Sequence, residues 1–332
     1  MAESSGNHRM RSGITEDLLS DMLRLVSANP VVAGGFSAGG RWAIRFPKPD
    51  KIKFFALVKG GCWLLIDGWA EPLRVESGDI FLLSGQHGFV LASEPDAPPV
   101  DALQLFPGSA ATRSATIGDG LDCRQIGGHV RLDPVNGSLL LEVLPPLIHI
   151  DGRSEQAAVL QWLLARLVRE LEAGALGSSL ACTHLSQMMF IEILRAHLAR
   201  DTGLSPGWLR AIGDARLAPA LRLMHGEPAR AWRLEELAAA AAMSRTAFAV
   251  HFREVAGIPP LAWLTQWRMR LAKRALADEQ ASVAVLAERL GYASESAFSS
   301  AFKRVTGVAP SAYRREAGRQ GEDLASESVE LA

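Results

Sequence analysis

Two short stretches of the chain carry side chains suited to reading nucleic acid. In ESAFSSAFKRVTG, residues 295–307, Ser296, Ser299 and Ser300 recur at i, i+3 and i+4. On a helix this spacing gathers them on one face, away from Phe298 and Phe302. Hydroxyls held there can exchange hydrogen bonds with base edges in a DNA major groove. In RTAFAVHFREVAG, residues 245–257, the matching positions are Thr246, Ala249 and Val250, with Arg245 and His251 alongside. That outer face is mostly apolar, which suits contact with thymine methyl groups.

The two stretches belong to a longer repeat. Ser244, Ala247, Phe248, Phe252, Val255, Gly257 and Pro260 recur as Ser294, Ala297, Phe298, Phe302, Val305, Gly307 and Pro310, each pair 50 positions apart. The recurring residues are those that build a small core; the residues that vary are those that would read sequence. In the second copy VAVLAERLG, residues 283–291, forms a first helix that Gly291 ends, and Ser294 caps the next. Helix, tight turn and helix make the helix-turn-helix pattern, whose second helix enters the major groove. Between the copies, LAWLTQWRMRLAKRALAD (261–278) puts Leu264, Trp267, Leu271, Ala275 and Leu276 on an apolar face. Its polar face carries Arg268, Arg270, Lys273 and Arg274. A helix of this length spans roughly 25 Å, enough, with its flanking units, to set two reading helices about one DNA turn apart, ~34 Å. With Lys303 and Arg304 these cations are the candidates for phosphate contact.

From Met243 to Glu316 eleven basic residues stand against six acidic ones, while the whole 332-residue chain has a formal net charge of −1. Any nucleic-acid site is therefore a local patch. Hydrophobic residues make up 48% of the chain, enough for buried cores. The three cysteines, Cys62, Cys123 and Cys182, form no CxxC and fit a reducing compartment. Cys62 and Cys123 could also act as a thiol switch. The polar N-terminus is no signal peptide, and no apolar run approaches the ~18 residues of a membrane span. These features predict a soluble, cytoplasmic protein with no membrane partner.

Ahead of the repeat the texture changes twice. From about 30 to 150, RWAIRF, KFFALVKG, CWLLIDG, DIFLLSG, GFVLAS, ALQLF and RQIGGHVRL read as strands. Turn signals at Gly60-Gly61, Asp67-Gly68 and Gly78-Asp79 separate them, which predicts an antiparallel sheet closed into a small barrel or roll. Residues 14–27 form a short amphipathic helix. Two helices over 154–174 and 178–200, broken at GALGSS, predict an antiparallel hairpin. The second is apolar on more than one side around Met188, Met189, Phe190 and Ile191, so it needs two partners, one of them a second copy of the chain. Domains are expected at 1–150 (effector sensing), 151–206 (hairpin, dimerisation and linker) and 207–316 (DNA binding). A disordered tail follows at 317–332.

LEELAAAAAMSRTAFAVHFREVAGIPPLAWL and VAVLAERLGYASESAFSSAFKRVTGVAPSAYR resemble the arabinose-regulator (AraC/XylS) family of bacterial transcription factors. The resemblance runs from about Asp214 to Arg315. It implies two helix-turn-helix units joined by a helix and bound to one face of DNA. Carried over by position, Thr246, Ala249, Val250, Ser296, Ser299 and Ser300 would contact bases. Arg233 stands before LEELA, where the family usually has a hydroxyl cap. The stretches KFFALVKGGCWLLIDG, ESGDIFLLSGQHGF and QIGGHVRLDPVNGSLLLEVLPPLIHI resemble a cupin-type sensor domain. No histidine lies between His8 and His87, so the H-x-H of metal-using cupins is absent and neither metal nor cofactor is expected. Trp42, Phe55, Trp63 and His87 are the candidates for an effector pocket. The fold class is α+β: a cupin-like antiparallel barrel with a helical hairpin, then an all-α double helix-turn-helix domain. The function this implies is a DNA-binding transcriptional regulator, an activator by family habit, with no enzymatic activity. Its partners would be double-stranded DNA, RNA polymerase, an unknown small-molecule effector and a second copy. The alternatives are a thiol-based redox regulator and a cupin enzyme fused to a DNA-binding domain.

Overall fold

The computed structural model describes residues 17–106, 113–133, 136–200, 205–278 and 281–316. His8, most of the 201–206 linker and the 317–332 tail lie outside them. The chain divides into two compact units. Among the described residues, one holds 27–106, 113–133 and 137–200; the other holds 17–26, Asn136, 205–278 and 281–316.

The first unit is built on two sheets. Its strands are β1 (Asn29–Ala38), β2 (Ala43–Phe46), β3 (Ile52–Lys59), β4 (Gly61–Ile66), β5 (Leu73–Glu76), β6 (Ile80–Leu83), β7 (Phe89–Ala92), β8 (Val100–Asp101), β9 (Arg113–Ile117), β10 (Cys123–Arg131) and β11 (Leu147–Ile150). One sheet runs β11-β6-β3-β10-β1-β9 and the other β5-β4-β7-β2-β8. Alternation decides what faces inward. In β4, Cys62, Leu64 and Ile66 are buried while Trp63 and Leu65 are half-exposed. The shared core draws Phe36, Phe55 and Phe81 from the first sheet and Ile44, Leu64 and Leu91 from the second, with Trp42 just ahead of β2. Gly60, Gly68 and Gly78 all take positive φ at the three turns read from sequence.

Three features depart from the expectation. The strands do not close into one barrel, and two pairings, β1 with β9 and β2 with β8, are parallel. ALQLF is not a strand but a helical turn, Ala102–Leu105, because the Asp101 carboxylate caps it by accepting from Leu103 N at 2.8 Å. And β1, interrupted by Pro30, Gly34 and Gly35, lacks a legible strand pattern; its pairing with β10 supplies what its sequence does not.

Asp79 locks one end of this unit. Its buried carboxylate accepts from Glu76 N at 3.0 Å and Gly152 N at 2.8 Å, and lies 2.9 Å from His149 Nε2. His149 thus has a structural occupation. The hairpin follows as expected, with helices Ala157–Ala173 and Ser178–Ala199 parted at Gly174 and Gly177, both at positive φ.

The second unit is all helical. We number its helices α1 (Leu18–Leu25), α2 (Trp208–Gly213), α3 (Ala218–Gly226), α4 (Leu234–Ala240), α5 (Arg245–Ala256), α6 (Pro260–Asp278), α7 (Val283–Arg289) and α8 (Glu295–Thr306). The N-terminal helix α1 packs on α3 and α6 of this unit rather than joining the sheets. Under α2, α3 and α6 lies an aromatic stack that no local pattern announces. The Trp208 ring lies 3.9 Å from that of Trp263, and His225 lies 3.9 Å from Trp267. The Arg270 guanidinium caps Trp208 at 4.0 Å.

Candidate nucleic-acid interface and sensor cavity

The repeat folds twice into the same object. Ser244 Oγ accepts from Ala247 N at 3.3 Å and Ser294 Oγ from Ala297 N at 3.1 Å, so each reading helix starts on a serine cap. Gly257 and Gly307 end the two helices at φ 75° and 82°. Phe248 and Phe252 are fully buried in the first unit, Phe298 and Phe302 in the second. The turns differ by one residue. Met243 N bonds Ala238 O, whereas the matching bond in the second copy runs from Tyr292 N to Ala287 O. The constant spacing of the repeat therefore begins only at the capping serine.

These cores turn the variable residues outward. Thr246, Val250 and Arg245 are exposed on α5, with Ala249 half-buried; Ser296 and Ser300 are exposed on α8, with Ser299 half-buried. Lys303 and Arg304 are exposed on the last turns of α8. Arg245 is shared with Glu235, 3.2 Å away. His251 does not stay alongside this face: its Nε2 lies 2.9 Å from Asp214 Oδ2 in a half-buried contact. In place of a hydroxyl before LEELA, Glu236 reaches back and accepts from Arg233 N at 2.9 Å, half of a capping box. That bond, reinforced by Arg230, holds the Glu236 carboxyl below its ordinary pKa.

The cations of α6 have intramolecular occupations. Arg268 Nε donates to Pro228 O at 2.6 Å and its Nη2 to Arg230 O at 2.9 Å. The loop it grips presses on Gly291, where a Cβ would sit 1.9 Å from Ala229 O. Gly291 is at φ 75°, and this crowding fixes glycine there. Arg268 thus braces the α3–α4 loop against the second helix-turn-helix unit. Arg274 Nη1 donates to Arg24 O at 2.9 Å, at the end of α1 where a cation is favourable. Arg270 caps Trp208, and Lys273 is half-buried. Sequence reasoning placed these four on one polar face; it could not see the partners of the three arginines, which come from 38 to 250 residues away.

Residues 237–316 match the helix-turn-helix domain family, and residues 17–199, more than half of the chain, match the cupin family. A Streptomyces lividans protein named as an AraC-like transcription regulator is 39% identical over 299 residues, covering 90% of this chain and 98% of its own length. The chain belongs to the AraC/XylS family. The HTH-type transcriptional regulator AlkR of Acinetobacter baylyi is 33% identical over 83% of this chain and 92% of its own. The crystal structure of the DNA-binding domain of AdpA with a target DNA is 35% identical over 31% of this chain and 93% of that chain, with a TM-score of 0.29. This AraC/XylS-family member is a DNA-binding transcriptional regulator with a cupin-type N-terminal domain. Among its described residues no helix is long and apolar enough to cross a membrane.

The regulator's cupin unit holds a cavity of about 360 Å³, within the usual range of small-molecule sites. Phe46, Phe55, Phe89 and Phe106 form its apolar wall, and Gln125 and Gly127 line it from β10. Of the four residues expected there, Phe55 lines the cavity. Trp42 is buried in the core, its ring 5.1 Å from Phe36. Trp63 lies on the outer side of β4, where Arg74 covers it at 5.5 Å. His87 is half-buried and outside the lining. The structure also joins the two cysteines singled out from sequence. Cys62 and Cys123 are buried side by side with a hydrogen bond between their thiols. That bond, with burial, pushes the Cys62 pKa up, and it lowers that of Cys123.

Proposed function

We propose that the protein is an effector-controlled transcriptional activator that reads two short DNA elements with α5 and α8. The observation that carries this reading is the pair of exposed, sequence-variable faces raised on twin cores. Thr246, Ala249, Val250 and Arg245 would meet one element, and Ser296, Ser299 and Ser300 the other. Lys303 and Arg304, exposed beside the second face, are the strongest candidates for phosphate contact; Arg268 is better placed as a brace. Trp162, Leu180 and Met188 leave the hairpin with exposed apolar side chains, which favours a homodimer. Family membership favours recruitment of RNA polymerase and a cytoplasmic setting. We read the cupin unit as a sensor rather than an enzyme, since the relatives are named as regulators.

The test is selection of bound sites from random DNA by the purified protein at two salt concentrations. An enriched site with two elements about one helical turn apart, weakened by salt, supports the reading. Absence of enrichment with and without cell extract overturns it. Lys303→Gln with Arg304→Gln is expected to flatten the log–log salt slope by about 1.8 if both meet phosphate, leaving sequence preference unchanged. Arg268→Ala is expected instead to lower the melting temperature.

The Cys62–Cys123 contact favours a second reading, a thiol switch. Peroxide would take two electrons from the pair, the S–H protons leaving with the reduced oxygen as two waters while an S–S bond forms. Cys62→Ser and Cys123→Ser proteins whose DNA binding responds to peroxide as the wild type does would dispose of it.

A further inference from the structure

Resting on the reading of the N-terminal unit as a sensor, the cavity's own chemistry narrows its ligand. Its walls are rings. Phe46 and Phe89 stack at 4.7 Å with 9° between their planes, and Phe55 meets both edge-on at 5.8 and 5.5 Å. Such a box presents faces and edges together, the arrangement in which another ring packs well. At the inner side stands one polar atom with nothing to bind. Gln125 is 4% exposed, and its Oε1 is buried without a hydrogen-bond partner among the described residues. It lies over the bare backbone of Gly127, where a Cβ would sit 3.5 Å from it and 2.9 Å from the Phe55 ring. A buried carbonyl oxygen left unpaired is costly, and a ligand donor would remove that cost. At the outer side Lys48 and Lys53 line the cavity with Asp50, whose carboxylate is 3.8 Å from Lys51.

We propose that this cavity binds a ring-bearing organic anion that donates a hydrogen bond to Gln125 Oε1 and sets its carboxylate against Lys48 and Lys53. In the lining two lysines, Lys48 and Lys53, stand against one carboxylate, Asp50. His129, opposite Lys53 in the β3–β10 register, has its pKa lowered to about 4, by burial and then by Lys53, Lys51 and Arg131. A carboxylate there would meet a field already arranged for it.

The test uses three matched probes on the full chain by titration calorimetry: 4′-hydroxybiphenyl-4-carboxylate, biphenyl-4-carboxylate and 4-hydroxybiphenyl. The first is expected to bind best. Losing its hydroxyl should cost about fivefold, the size of one net hydrogen bond. Losing its carboxylate should cost a similar factor. Gln125→Met should erase the hydroxyl preference alone, and Lys48→Gln with Lys53→Gln the carboxylate preference alone. Equal affinity of the wild type for all three probes, or no binding at millimolar concentration, overturns the proposal without any variant having to fold. DNA selection reports separately. Selected sites without probe binding refute the ligand class and leave the regulator reading intact. Probe binding without selected sites, with and without cell extract, supports the cavity and refutes the two-element reading by α5 and α8.

Discussion

Phe302→Ala is expected to cost about 3–5 kcal/mol and to remove one half of the DNA reader while sparing the other. Phe302 is fully buried, with its ring 5.7 Å from that of Phe298 and 5.5 Å from that of Tyr313. It belongs to a core made of α6, α7 and α8 side chains, including Met269, Leu276, Leu286 and Leu290. The first unit rests on other side chains. Phe252 packs edge-on against Trp263 at 5.7 Å, at the opposite end of α6. Hydrogen exchange should therefore rise across residues 283–316 and stay low across 245–256. Selected DNA should keep the element read by α5 and lose the other. Equal loss of protection in both units would show that they unfold as one, and that the repeat is not two separable cores.

Acid is expected to destabilise the helical unit through His225. This side chain is 1% exposed, sandwiched with Trp267, and its Nε2 accepts from Trp263 Nε1 at 3.3 Å. Burial, helped by Arg270, lowers its pKa from 6.5 to about 3. The folded state therefore holds His225 neutral where the unfolded chain would protonate it. Its contribution to stability is complete above pH 6.5 and is lost progressively as pH falls toward about 3. The loss over that window is on the order of 4 kcal/mol. Melting curves between pH 7 and 4 measure it. His225→Phe should start lower at pH 7, having lost the acceptor for Trp263, and then fall less steeply. A variant profile parallel to the wild type would remove His225 as the cause.

Sequence alone determined the parts whose instructions are local. The twin helix-turn-helix units were legible because their caps, closing glycines and inward phenylalanines recur at fixed spacing, and each acts within one or two helical turns. The hairpin, the three glycine turns and most strands were legible through period and punctuation for the same reason. Tertiary structure decided whatever depends on partners far along the chain. β1 is a strand because β10 pairs with it, although Pro30, Gly34 and Gly35 argue otherwise. The arginines of α6 formed a basic face on paper; folding gave Arg268 two carbonyls, Arg270 a tryptophan and Arg274 the end of α1. Trp42 and Trp63 were both aromatic candidates for a pocket, yet one fills the core and the other lies outside it, since a sheet residue's face is fixed by strand pairing. Gln125 drew no notice as one polar residue among RQIGGHVRL. It became the cavity's unpaired acceptor only when folding brought Phe46 of β2, Phe55 of β3 and Phe89 of β7 around it, beside the glycines of its own strand β10.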